Sequence, residues 1–306
     1  MKFWAALAVV FLASALPAAA EQIIGISAPA ADGAPIFVAA QEGFYAKHGL
    51  DVRIDLAALM PNMPPILASN AAQFGVLTPT TVIQAVEGGL DMVAFSGGSI
   101  ITHDRSNQML VVRDGLDLKS PQDFVGKRIG VPGFGANLHV TLLYWFQAKG
   151  VDPKSLTFVE VTFPTMRDLL ASKQVDAVIA IDPILSQIVA SHAGTVFAEI
   201  APDLPEGIPD TIYVAMRDWA AAHPGEIKSL QGALADAETF VNTEPDQTKA
   251  DVAAHLKMPP DLVKLLKISH QDPTLTPQQL GWWVDVMKRN NLIAGTLDPA
   301  KMILAR

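Results

Sequence analysis

The stretch Phe37-Val38-Ala39-Ala40-Gln41-Glu42-Gly43-Phe44-Tyr45-Ala46-Lys47-His48-Gly49-Leu50-Asp51-Val52 decides how this chain folds. Its first two-thirds carry apolar residues at helical spacing, and Pro35 just upstream suits a first helical turn. Gly49 then stops the helix, and Val52 to Leu56 alternates in the manner of a strand. Upstream, Ile23 to Ser27 is a short apolar run of strand length. Strand, helix, strand within about 35 residues is a βαβ unit, which demands a parallel sheet.

Working outward, the same alternation continues. Helices are expected at Pro35 to Lys47, Pro65 to Ser69 and Thr80 to Glu87, with strands at Phe74 to Leu77 and Met92 to Ser96. A second series follows: strands at Met109 to Val112, Arg128 to Val131, Leu156 to Val161 and Ala177 to Ile181. Its helices are Asn137 to Lys149, Thr165 to Ser172 and Pro183 to Ser191. The two series echo each other. Ala46-Lys47-His48-Gly49-Leu50-Asp51, Leu67-Ala68-Ser69, Phe74-Gly75-Val76 and Pro79 find counterparts in Ala148-Lys149-Gly150-Val151-Asp152, Leu170-Ala171-Ser172, Ala177-Val178-Ile179 and Pro183, offset by 101 to 104 residues. They read as two copies of one α/β module.

After a last strand at Ile212 to Met216 the pattern is helical. It runs through Trp219 to Asn242, Gln247 to Leu256, Pro260 to Leu266 and Thr276 to Asn290, with prolines at the boundaries. Trp145, Trp219, Trp282 and Trp283 fall inside helical patterns and read as core or lobe-surface residues. The expected division is 1–20 a signal peptide, 21–105 the first part of one lobe, 106–205 a second lobe, and 206–306 the completion of the first lobe plus a helical tail. The connections between lobes are expected near His103 to Gln108 and Pro205 to Thr211.

The signal-peptide reading rests on Lys2, the apolar run Phe3 to Leu16, Pro17 and then Ala18-Ala19-Ala20 before Glu21. Cleavage after Ala20 takes the net charge from −9 to −10 by removing Lys2, and 306 less 20 leaves 286 residues. The expected compartment is the periplasm. The acidic balance, with no run of Lys and Arg, argues against nucleic acid as partner. With no cysteine in the chain, a lipid-anchoring cysteine, a thiol nucleophile and a disulfide framework are all excluded. The seven histidines are scattered, and neither a His-Glu-x-x-His pair nor a Gly-x-Ser-x-Gly elbow occurs. The sequence therefore points away from an enzyme, and it implies no metal and no cofactor.

The opening, Gly25-Ile26-Ser27 followed by Phe37 to Val52, resembles that of the sulfonate, nitrate, taurine and thiamine-precursor binding proteins of ABC importers. Ala72-Gln73-Phe74-Gly75-Val76 is similar to that family's third strand. Asp123-Phe124-Val125-Gly126-Lys127-Arg128-Ile129-Gly130-Val131-Pro132 is similar to the start of its second lobe. The resemblance implies a type II periplasmic binding fold: two α/β lobes joined by two crossing strands and closing on ligand. It implies a monomer that captures a small molecule and delivers it to an ABC permease in the inner membrane.

In open α/β sheets ligands bind beyond the carboxyl ends of the strands. Each candidate residue lies in such a position. Asp32 and Gly33 follow the first strand. Thr78, Thr80 and Thr81 open a helix after the third, offering hydroxyls and free N–H groups. Ser96 and Gly97 follow the fourth. In the second series Phe134, Gly135 and Asn137 precede the long helix, with Asn137 as a candidate cap and Phe134 as a surface to pack on a ligand. Phe163 and Asp182 end later strands, and Asp182 before Pro183 also suits a helix cap. These groups include no Arg or Lys. They suit a small sulfonate- or carboxylate-type anion held by helix starts. They also suit a neutral heteroaromatic such as a pyrimidine, and presentation of ligand to a membrane sensor is a second possible role.

Overall fold

The computed structural model describes residues 22–57, 60–105, 108–182, 184–264 and 266–304. The expected signal peptide lies outside the described residues, as does Pro183. Two five-stranded sheets organise the chain. The first contains β1 (Ile23–Ser27), β2 (Val52–Leu56), β3 (Phe74–Leu77), β4 (Met92–Gly97) and the late strand β12 (Ile212–Met216), in the order β2-β1-β3-β12-β4. Between them run the crossover strands β5 (Ile100–Ile101) and β11 (Ile208–Pro209), which pair antiparallel, Ile101 opposite Ile208. The second sheet holds β6 (Met109–Arg113), β7 (Arg128–Val131), β8 (Thr157–Glu160), β9 (Ala177–Ala180) and β10 (Gly194–Glu199), in the order β10-β6-β9-β7-β8.

Read from the other edge, the second sheet is β8-β7-β9-β6-β10, the same pattern as the first. Three parallel strands lead, and then a strand borrowed from across the crossover runs antiparallel to both neighbours: β12 between β3 and β4, β6 between β9 and β10. The repeat in the sequence is thus a repeat of topology. Strands β3, β4 and β9 are buried at every position. That is why they read as continuous apolar runs, since a sheet covered on both faces has no polar side to alternate.

The helices of the first lobe are α1 (Ala34–Gln41), α2 (Phe44–Lys47), α3 (Met63–Ala68) and α4 (Pro79–Glu87). Those of the second are α5 (Asn137–Ala148), α6 (Met166–Ala171) and α7 (Ile184–Ala190). The tail supplies α8 (Arg217–Ala222), α9 (Pro224–Thr243), α10 (Pro245–Leu256), α11 (Pro260–Val263) and α12 (Pro277–Arg289). Two expected helices are each split. The helix expected at Pro35 to Lys47 breaks at Gly43, whose φ of +74° is left-handed and favours a residue without Cβ. The helix expected from Trp219 breaks at Pro224, which has no N–H to continue the ladder of α8. The sequence reading assigns no strand to Gly194–Glu199. That segment is a sheet edge paired only with β6, bulged at Val196 to Ala198 and largely exposed, so it carries little of the apolar signal.

The tail ties the molecule together. Helices α9 and α10 pack on α1 and cover one face of the first sheet. Helix α12 is held at its start by a capping box between Thr276 and Gln279 and lies against both α4 and α5. One apolar cluster runs from Leu77, Val82 and Ile83 through Leu280, Trp283 and Val286 to Leu138, Leu142 and Trp145. Trp283 is fully buried, and its indole N–H donates to the Pro209 carbonyl of the crossover at 2.9 Å.

Candidate functional site

Where the lobes meet, the N-termini of α4 and α5 face each other. Thr78 caps α4: its hydroxyl accepts from the Thr81 N–H at 3.4 Å and lies 2.9 Å from the Thr81 hydroxyl. Proline at the first helical position leaves fewer orphan N–H groups there. The Thr80 hydroxyl, fully buried, donates across the interface to Asn137 Oδ1 at 2.9 Å. Asn137 is not the cap expected of it. The cap position is Ala136, without a side-chain bond, and Asn137 instead turns its amide away from its own helix. Its Nδ2 donates to the Asp210 carbonyl at 2.9 Å and to Asp210 Oδ1 at 2.7 Å. A cap must point back along its own backbone, and these partners on α4 and on the crossover hold the side chain elsewhere.

Asp210 follows β11 directly and is buried. Burial together with the neighbouring charge of Asp32 pushes its carboxyl up to about 7, against the pull of the Asn137 amide. Asp32 also accepts from the Ser269 hydroxyl at 3.4 Å. Gly33 is buried, and a Cβ there would press on Ser27 Oγ.

In the second lobe Gly135 takes φ +76° and donates its N–H to His139 Nδ1 at 2.9 Å. Gln84 of α4 lies so close over Gly135 that any Cβ would overlap its amide. The ring of His139 sits edge-on between Phe134 and Phe158, at 5.6 and 4.8 Å. Burial lowers its pKa to about 4, so the ring is neutral, with Nε2 carrying the proton because Nδ1 accepts. Phe134 itself is 54% exposed. Phe163 is half-buried in the turn that follows β8. Asp182 accepts from the N–H and hydroxyl of Ser186 at 3.1 and 2.6 Å, anchoring the start of α7. Its other oxygen lies 4.0 Å from Lys267 Nζ, on the tail segment that belongs to the first lobe's core.

The structure thus links Thr80, Asn137 and Asp210 in one run of hydrogen bonds, with the charge of Asp32 acting on Asp210, Thr78 and Thr81 behind Thr80, and Gly135 under Gln84. Ser96 and Gly97 end β4, paired with β12 directly after Asp210 and Thr211. The Ser96 hydroxyl reaches the Pro273 carbonyl at 3.5 Å, and residues 272–274 close over Gly97. The sequence reading passed over Asp210, His139, Gln84 and Lys267. Of these, only Asp210, set in an Ile-Pro-Asp-Thr crossover already expected to join the lobes, carried a usable signal. Among the described residues no cluster of His, Asp and Glu could hold a metal ion, and no helix is long and apolar enough to cross a membrane.

Comparison with known proteins agrees with this architecture. The chain superposes on the periplasmic aliphatic sulphonate binding protein SsuA from Escherichia coli with a TM-score of 0.77 and 18% identity, covering 93% of this chain and 98% of that one. The alkanesulfonate-binding protein SsuA from Xanthomonas axonopodis pv. citri, bound to MOPS, gives 0.76 and 18%, over 94% and 99%. In sequence, the chain is 25% identical over 282 residues to a Brucella abortus protein named only as a binding protein, covering 88% of this chain and 85% of that one. These likenesses fix the fold as that of the periplasmic binding proteins. The model of the family described as NMT1/THI5 like matches residues 30–248, and the chain belongs to that family.

Proposed function

We propose that the protein is the periplasmic solute-binding component of an ABC importer, not an enzyme, and that it takes a small organic molecule between its lobes. The observation that carries this reading is the convergence of two topologically equivalent lobes on one interface, α4 start against α5 start, beneath a two-strand crossover. Two lobes between which the backbone passes at such a crossover can rotate about it, and a ligand that touches both favours the closed arrangement. The lobe limits proposed are 21–105 with 206–306, and 106–205, and the chain is proposed to act as a monomer delivering ligand to a membrane permease. The proposed contacts are Asp32, Gly33, Thr78, Thr80, Thr81, Ser96, Gly97, Phe134, Gly135, Asn137, Phe163 and Asp182. Helix-start N–H groups and the threonine hydroxyls support a sulfonate- or carboxylate-type anion.

One observation favours the second ligand class, a neutral heteroaromatic such as a pyrimidine. Carboxyl groups of Asp32, Asp182 and Asp210 border the interface, and Lys267 faces Asp182 at 4.0 Å. Acceptors of this kind suit ring N–H and amino groups, and the exposed face of Phe134 suits stacking. A thermal-shift screen of the mature chain against alkanesulfonates, aromatic carboxylates and aminopyrimidines separates the classes. A true ligand at about 100 times its dissociation constant adds about 2.7 kcal/mol of apparent stability. A shift with anions alone supports the first class, a shift with pyrimidines alone the second, and no shift with any of them contradicts the reading.

A further inference from the structure

We propose that Thr80, Asn137 and Asp210 form a latch by which the two lobes hold each other shut directly, with the buried Asp210 carboxyl as its pH-sensing end. The proposal rests on the reading above that the lobes open and close. Its three members come from three parts of the chain: Thr80 from the first lobe, Asn137 from the second, Asp210 from the crossover. They are joined by bonds of 2.7 to 2.9 Å and all are buried. Every hydrogen-bonding atom of the Asn137 side chain is thereby committed to another part of the molecule, and none to its own helix. A buried amide satisfied only by partners across an interface holds that interface in one register, because parting the lobes leaves all of its bonds unmade. Gln84 seated over Gly135 makes the same junction close-fitting. Behind it, Gln147 donates to Asn290 at 3.1 Å and Tyr144 meets Trp282 edge-on at 5.2 Å.

The groups facing Asp210 explain its pH response. From α5 comes Asn137, bonded on its other side to Thr80 of α4; the Asp210 and Thr211 N–H groups donate to the Ser99 carbonyl, and the Ser99 and Thr211 hydroxyls bond each other. From α12 comes Trp283, the charges of that helix, Asp285, Lys288 and Arg289, being exposed. The segment after β1 brings Asp32, whose charge acts on Asp210, and the Lys267–Asp182 pair lies across the junction. In the shut arrangement Asp210 holds its proton to about pH 7. Parting the lobes gives the carboxyl water and returns it toward the ordinary value near 4. The shut form then binds more protons between these limits. Shutting is most favoured at the acid end, weakens as pH rises from about 4 to 7, by up to about tenfold in the shut-to-open ratio per pH unit, and is flat above.

The test needs no solute, so it stands or falls separately from the ligand reading. The chain has no cysteine, so Glu42→Cys and Lys154→Cys, both at exposed positions on opposite lobes, direct a donor and an acceptor dye to defined places. Energy transfer is read at pH 5 and pH 8, with circular dichroism confirming the fold. The unaltered background is expected to pass from the shut-form value at pH 5 toward a lower one at pH 8. Asn137→Ala is expected to show the lower value at both, and Thr80→Val, which loses only a hydroxyl, to move the same way. Asp210→Asn keeps the acceptor, cannot ionise, and is expected to hold the shut value throughout. If both Asn137→Ala and Thr80→Val keep the background's transfer at pH 5, the latch is wrong. If the background does not change between pH 5 and pH 8, or Asp210→Asn still titrates, the pH-sensing end is wrong.

Discussion

At the scale of single residues, the buried polar side chains are the informative ones. Glu238 of α9 is almost fully buried, and neither carboxyl oxygen has a hydrogen-bond partner among the described residues. Burial, with the charge of Asp272 added, pushes its pKa up to about 9, so it is a neutral acid at pH 7. A carboxyl whose folded pKa lies above its unfolded one contributes stability below the unfolded value, and that contribution is lost as pH rises toward the folded value. The chain should therefore lose stability between about pH 5 and 9, by up to about 1.4 kcal/mol per pH unit from this group. Glu238→Gln should flatten that slope, as urea melts at pH 5, 7 and 9 would show. An equal slope in the variant would assign the loss to another group. Asn137 teaches a different lesson. Its position before a long helix was legible as a cap, yet its partners Thr80 and Asp210 lie 57 and 73 residues away. No local pattern could announce that contact. Truncating it to Ala strands two buried partners, so a loss of about 1–3 kcal/mol is expected in chemical denaturation, more than the roughly 1 kcal/mol of a lost cap.

At the scale of elements, most of the strands were legible because burial on both faces writes them as short apolar runs, as in Phe74–Leu77 and Ala177–Ala180. β10 was not, because an exposed, bulged edge needs no such run. Helix starts were marked by proline, at Pro79 and Pro277 among others. Helix interruptions were harder to see. Gly43 looked like one tolerated glycine within a helix of apolar spacing, whereas it is the left-handed break between α1 and α2. Gly43→Ala should therefore destabilise by about 1 kcal/mol, not stabilise as a helix-interior replacement would. The open space around that position leaves backbone strain as the sole cause. A thermal melt that rises instead of falling would show that the break can be straightened.

At the scale of the whole molecule, the sequence repeat carried the deepest information, since an offset of just over a hundred residues foretold two sheets of one topology. What it could not foretell was the part the tail plays. Trp283 read as a core or lobe-surface residue, and the core it enters joins both lobes to the crossover. Trp283→Ala should cost about 3–5 kcal/mol and should loosen α12 from α4 and α5 together, visible as faster amide exchange in both helices. Loosening of one lobe alone would place the joint elsewhere. The claim beneath all of this is that a small molecule is held between the lobes. Titration calorimetry of the mature chain with the best compound of the thermal screen tests it most directly, run in parallel on Phe134→Ala and Thr80→Val. Saturation at one molecule per chain is expected. Affinity should fall about tenfold in each variant, through lost stacking in one and lost closure in the other. Binding at full strength in both variants, with the fold intact, would contradict a ligand site between these lobes.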